Sequence, residues 1–238
     1  MRHLLAAILL LATTARGETR IIGGTPVAPG EWPQIVPLLV EGSRCTATIV
    51  GPRVIVTAAH CASVGQGKGT ISFEGVTHAA TLFRSPLYPG KDHDLAAGIL
   101  PAELDVAPLT VGGVTKTGLV VEMLGFGCTN PGGTDVSDGV LRIAGSSIVD
   151  LVGFDFVTRL AGGGALCFGD SGGPAVVDTD DGVFVLGIAS KGNITDTSYF
   201  SRLDSADSRN FLRSLASQQA VEICGINAEC YALSARRR

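Results

Sequence analysis

Short apolar runs separated by turn residues recur along this chain, and helical spacing is absent until near Asp204. Residues 34–40, 45–50, 54–58, 77–83, 119–124, 140–148, 173–177 and 183–190 each read as a strand, with turn signals between the runs. Strands at this spacing, with no helices between them, exclude alternating βαβ units and predict barrels or sandwiches. The 32 glycines suit a chain that must turn so often. Past Asp204, Phe211, Leu212 and Leu215 recur at helical spacing, with Ser205 and Asp207 near the start to cap and charge a helix.

Within this frame, residues 169–174 read Gly-Asp-Ser-Gly-Gly-Pro. Glycines on both sides let the backbone turn sharply and leave room for a carbonyl above the Ser171 hydroxyl. Such a turn can aim the N–H groups of Gly169 and Ser171 at one point, where they stabilise a developing oxyanion. A serine hydroxyl is a weak nucleophile alone and needs a base and a group that orients the base. His60, in Thr57-Ala58-Ala59-His60-Cys61, and Asp94, before Leu95-Ala96, supply both. All four histidines (His3, His60, His78 and His93) precede Ser171, which rules out the α/β-hydrolase order. The first aspartate is Asp92, so the subtilisin order fails as well. Only His…Asp…Ser remains.

From Ile21-Ile22-Gly23-Gly24 to about Leu215, the chain resembles the trypsin/chymotrypsin family of serine proteases, made as secreted zymogens. The resemblance implies an all-β fold: two antiparallel six-stranded β-barrels of the chymotrypsin type, at about 21–112 and 113–203. A C-terminal helix with an extension, 204–238, would follow. It implies peptide hydrolysis with Ser171 as nucleophile, His60 as base and Asp94 as its orienting carboxylate, and with Gly169 and Ser171 forming the oxyanion hole. Ser190 would contact Asp94, while Lys191 and Gly192 would pair with extended substrate. Lys191 departs from the family, which usually carries Trp there. Ala165, Phe168, Gly192 and Thr197 would form the specificity pocket. Trypsin-like enzymes carry an aspartate where Ala165 stands, so uncharged side chains are expected before the scissile bond. Asp196 facing inward, in place of Thr197, would restore basic ones.

The resemblance also implies activation by cleavage after Arg20, which frees an Ile21 ammonium to pair with Asp170. Residues 1–17 have a basic start, a short apolar run and small residues, the pattern of a signal peptide, and 18–20 would be a short propeptide. Six cysteines in an exported chain predict disulfides. By resemblance, Cys45 bonds Cys61. Cys224 and Cys230, close in sequence, make a local loop. Segment 191–201 has no cysteine, so the family's usual partner for Cys167 is missing. In the family the Gly-Phe-Gly turn at 125–127 runs beside the serine loop, which brings in Cys128 as the alternative.

The formal net charge of −4 and the few aromatics argue against a nucleic-acid partner. No segment is long and apolar enough to span a membrane, which with the leader predicts a secreted or periplasmic protein. Asp92-His93-Asp94 is too short a cluster to imply a cation, so no metal or cofactor is expected. The expected partners are protein or peptide substrates and protein protease inhibitors. Two other functions use the same residues: a secreted esterase, and a protease-like binding protein without catalysis.

Overall fold

Each apolar run named above forms a strand in the computed structural model, which describes residues 21–63, 66–135, 137–160 and 164–230. The expected leader (1–17), propeptide (18–20) and the terminal arginines 236–238 lie outside the described residues. In chain order the strands begin with β1 (Thr25–Pro26), β2 (Ile35–Val40), β3 (Ser43–Gly51), β4 (Val54–Thr57) and β5 (Gln66–Phe73). Then come β6 (Val76–Arg84), β7 (Ala96–Ile99), β8 (Thr110–Val111), β9 (Val120–Gly125) and β10 (Arg142–Val152). The last are β11 (Asp155–Arg159), β12 (Pro174–Thr179), β13 (Gly182–Gly192) and β14 (Thr197–Arg202), followed by helix α1 (Ala206–Gln219).

Two closed six-stranded antiparallel barrels result. The first runs β2-β3-β4-β7-β6-β5 and closes where Leu38 pairs with Ile71. The second runs β9-β10-β11-β14-β13-β12 and returns to β9 where Ala175 pairs with Met123. Closure leaves no long unpaired edge in either sheet. Inward-facing residues fill each barrel. Leu38, Ile55 and Leu82 are buried in the first. Gly98 makes that packing feasible, because a Cβ there would come within 2.8 Å of both Ile55 and Leu82. In the second, Phe156 stacks on Phe200 at 5.0 Å, surrounded by Met123, Leu186 and Ile21. Each fully buried aliphatic or aromatic side chain of this kind stabilises the fold by about 1.5–3 kcal/mol.

The segments that flank the barrels cross over. Helix α1 begins at Ser205, whose hydroxyl accepts from Ser208 N, and ends where Ala220 turns left-handed. It follows the second barrel, yet its buried Leu212, Leu215 and Ala216 join a hydrophobic cluster that fills the first barrel and takes in Val183, Val185 and Ile188 of the second. The residues beyond it tie to both: Cys224 N donates to Val50 O in β3 at 2.8 Å, and Val111 N, in β8 beside β13, donates to Cys224 O at 2.9 Å. Before the first barrel, Ile21 is fully buried in the second. Ile22 bridges to Ala165, whose N–H donates to Ile22 O at 2.9 Å, and β1 pairs with β10.

Candidate active site

His60 sits in a single 3₁₀ turn (Ala59–Cys61) that follows β4, and Asp94 lies just before β7, the strand paired with β4. That pairing brings two residues far apart in sequence face to face. The Asp94 carboxylate accepts from His60 N at 2.8 Å through Oδ1 and faces His60 Nδ1 at 2.7 Å through Oδ2. Ser190, in β13 of the other barrel, donates its hydroxyl to Oδ2 at 2.7 Å. Burial by itself would push the Asp94 carboxyl up, but the hydrogen bonds from His60 and Ser190 outweigh it and hold it below the usual carboxylate range.

Ser171 precedes β12 on a turn that both barrels fix. Its carbonyl accepts from Thr46 N in β3 at 2.8 Å, and the Thr46 hydroxyl donates to Gly169 O at 2.8 Å. Gly169 has φ +100° and Gly172 φ +85°. A Cβ at Gly172 would also lie 2.0 Å from the Thr57 hydroxyl, so this turn requires glycine there. Among the described residues, the N–H groups of Gly169 and Ser171 are not spent on a backbone partner. Asp170, between them, is fully buried and accepts from Gly127 N at 2.7 Å and Cys167 N at 2.9 Å. Gly125 and Gly127 leave space for its carboxyl. Burial pushes that carboxyl up to about 7, against the pull of the two backbone N–H groups and Arg142.

Beside Ser171 lies a cavity of about 350 Å³ lined by His60, Leu166, Cys167, Phe168, Ser171, Ser190, Lys191, Gly192 and Ile194. Ala165 and Thr197 are not on its wall: Ala165 is buried behind it with Ile22, Cys128 and Cys167, and Thr197 is buried in β14. Leu166 and Ile194 take their place, and neither stood out in the sequence. Asp196 is exposed, its carboxylate held by the Thr197 hydroxyl and by Asn193 Nδ2, each at 2.7 Å. Those hydrogen bonds keep its carboxyl below the usual range. The cavity wall carries no carboxylate among the described residues.

Lys191 pairs with Asp92, lies 3.4 Å from Asp155 and stands over the Tyr199 ring at 5.7 Å. The cavity flank at Lys191 is therefore charged, with the ammonium lying over an aromatic ring. The residues of 92–94 point to three different partners: Asp92 to Lys191, Asp94 to His60, and His93 into the interior. They offer no common ligand point for a cation. Cys45, His60 and Cys61 lie together, but a disulfide joins the two sulfurs and removes thiolate donors. The other disulfides are Cys128–Cys167, with α-carbons 5.2 Å apart, and Cys224–Cys230.

The family model described as Trypsin matches residues 21–204. Human transmembrane protease serine 5 is 30% identical over 214 residues, covering 73% of this chain and 46% of that protein. Human granzyme M is 30% identical over 149 residues, covering 55% of this chain and 58% of that protein. The chain thus spans about half the length of these relatives. Human heparin binding protein matches the fold with a TM-score of 0.65 at 18% identity, covering 82% of this chain and 96% of that structure. Among the described residues no helix is long and apolar enough to cross a membrane.

Proposed function

The chain belongs to the trypsin family of serine proteases, and on that premise we propose that it is a secreted serine endopeptidase, released from a zymogen by cleavage after Arg20. The observation that carries this reading is the Asp94 carboxylate: it holds His60 by two hydrogen bonds, while His60 and Ser171 line one cavity. A shared fold does not carry it, since a heparin binding protein has that fold too.

In the proposed reaction, Ser171 Oγ attacks the substrate carbonyl carbon and its proton passes to His60 Nε2. Asp94 holds the imidazole in the tautomer that leaves Nε2 free to accept, and stabilises the imidazolium that forms. The N–H groups of Gly169 and Ser171 hold the negative oxygen. Collapse of the intermediate breaks the C–N bond, His60 returns the proton to the leaving amine, and an acyl-enzyme remains. Water then attacks with His60 again as base, and Ser171 is restored. The apolar wall of Leu166, Phe168 and Ile194, with Asp196 turned to solvent, supports small to medium uncharged residues before the scissile bond. The disulfides support an oxidising compartment.

The test is to cleave the purified protein after Arg20 and profile it on a peptide library beside matched amide and ester substrates. Hydrolysis of the amides is expected, with a loss of about ten-thousand-fold or more in Ser171→Ala. Turnover of esters alone, or unchanged activity in Ser171→Ala, overturns the reading.

A further inference from the structure

His93 is fully buried, one residue from Asp94, and both of its ring nitrogens are engaged. Nε2 lies 2.7 Å from Ser208 Oγ in helix α1, and Nδ1 lies 2.5 Å from Ser85 Oγ just past β6. The direction of each bond follows from counting protons. Ser208 has one hydroxyl proton and gives it to Arg202 O at 2.5 Å, a carbonyl that can only accept. Ser208 Oγ must therefore accept from His93, and it also accepts from Ser205 Oγ at 2.8 Å. The ring proton is thus on Nε2. In the neutral ring Nδ1 then accepts, so Ser85 donates to it while accepting from Leu87 N at 3.2 Å. With a neutral imidazole, the hydroxyls of Ser205, Ser208 and Ser85 are all satisfied.

Ser85 grips the segment on both sides of Asp94. Its hydroxyl holds the His93 ring, and its N–H donates to Leu95 O at 2.8 Å. The ring of Phe154, 4.9 Å away, covers His93 from the second barrel. We propose that His93 is a positioning residue for the reaction, a neutral imidazole strut that clamps segment 92–94 between β6 and helix α1. It would thereby fix the angle at which Asp94 presents its carboxylate to His60. The inference rests on the roles given above to His60, Asp94 and Ser171.

A second proton on His93 would put an N–H against Ser85 and turn the Ser85 hydroxyl proton into a dry site with no acceptor on the ring side. Burial works in the same direction and pushes the imidazole down; Asp207, in the first turn of α1, and Asp94 pull it back. The neighbouring cations are committed elsewhere: the Arg202 guanidinium is held by Asp204, and Arg84, beside Ser85, stacks over Tyr88. The clamp therefore holds at neutral pH and opens in acid.

Three measurements on the cleaved enzyme test this. Nitrogen NMR at pH 7 should show His93 neutral, with the proton on Nε2; an Nδ1–H tautomer or a charged ring overturns the assignment. His93→Leu should lower kcat about tenfold or more while KM stays within about twofold, as expected when a catalytic group is misplaced without loss of substrate contacts. Its acid limb of kcat/KM should follow one proton, where the wild type steepens toward two at low pH. A folded His93→Leu with wild-type kcat and acid limb refutes the proposal. If His93→Leu does not fold, Ser85→Ala takes its place, with kcat expected to fall about threefold and KM unchanged; wild-type kcat there refutes it equally. Failure of the protease reading would be visible separately, as turnover that survives Ser171→Ala, and the NMR result would still decide the tautomer.

Discussion

Ser190 donates its hydroxyl to the same Asp94 oxygen that faces His60 Nδ1, at 2.7 Å in each case. The second barrel thus fixes the carboxylate on which the first barrel's histidine depends. Ser190→Ala leaves that oxygen short of a donor in a buried site. A hydrogen bond to a charged group contributes about 1.5–3 kcal/mol, so kcat/KM should fall roughly ten- to a hundredfold. The folded Asp94 carboxyl is depressed, so its contribution to stability is present above its unfolded pKa and lost as pH falls through the folded one. Without Ser190 the folded value rises and that loss begins at higher pH. Thermal melts of both proteins between pH 6 and pH 3 read the difference.

Asp170 makes the opposite prediction for the uncleaved chain. Its carboxyl is raised from 3.8 to about 7, so between those values the folded chain holds a proton that the unfolded chain releases. Stability therefore declines as pH rises through that window, by about 4 kcal/mol at most from this group. An ammonium freed at Ile21 would pair with the carboxylate and remove the penalty. The cleaved form should melt higher than an Arg20→Gln form at pH 8, and the gap should narrow by pH 5. An equal gap at both values would show that Asp170 is not the partner.

The Cys128–Cys167 disulfide closes a span of 39 residues, and the Cys167 N–H holds the Asp170 carboxylate. Replacing both cysteines with serine should cost about 2–4 kcal/mol in chemical denaturation. It should also slow catalysis, because the serine turn loses a fixed neighbour. A double variant with wild-type kcat would confine the bond to a stabilising role.

Ile194 lines the cavity beside Ser171 from a left-handed backbone, with φ +58°. Ile194→Gly relieves that backbone and enlarges the apolar space. A methylene in such a pocket is worth about 1–3 kcal/mol of discrimination, so the preference should move toward Phe and Leu by at least about tenfold. Competing peptides that differ only before the scissile bond give the ratio directly; an unchanged ratio means that Ile194 does not bound the pocket.

The strands that apolar runs announce were legible in sequence, and those with mixed composition were not. β5 starts Gln66-Gly67-Lys68-Gly69, which carries no apolar alternation, and its pairing with β6 along its whole length and with β2 at Thr70 and Ile71 makes it a strand. β7 is Ala-Ala-Gly-Ile, where small residues serve close packing that periodicity does not register. The order of His60, Asp94 and Ser171 was readable because chemistry restricts which arrangements work. The grip of Thr46 on Gly169 was not, since it joins residues 123 apart and a threonine in a strand carries no mark of it. The cavity wall escaped for a similar reason. Leu166 is held at the cavity by the hydrogen bond from its N–H to the Ser198 hydroxyl, and Ile194 by a turn at 193–197 that folds around the Asn193 side chain.

Because Ile21 and Ile22 are embedded in the second barrel, while helix α1 packs into a cluster that draws on both barrels and Cys224 holds Val50 and Val111, segments from before the first barrel and after the second fasten the two halves together. The arrangement is a reciprocal latch. A chain severed near residue 115 would yield two fragments, each exposing apolar surface that a segment of the other covers. Neither fragment can complete its own interior, so the barrels must gain and lose order together, and the cleft between them inherits that shared rigidity.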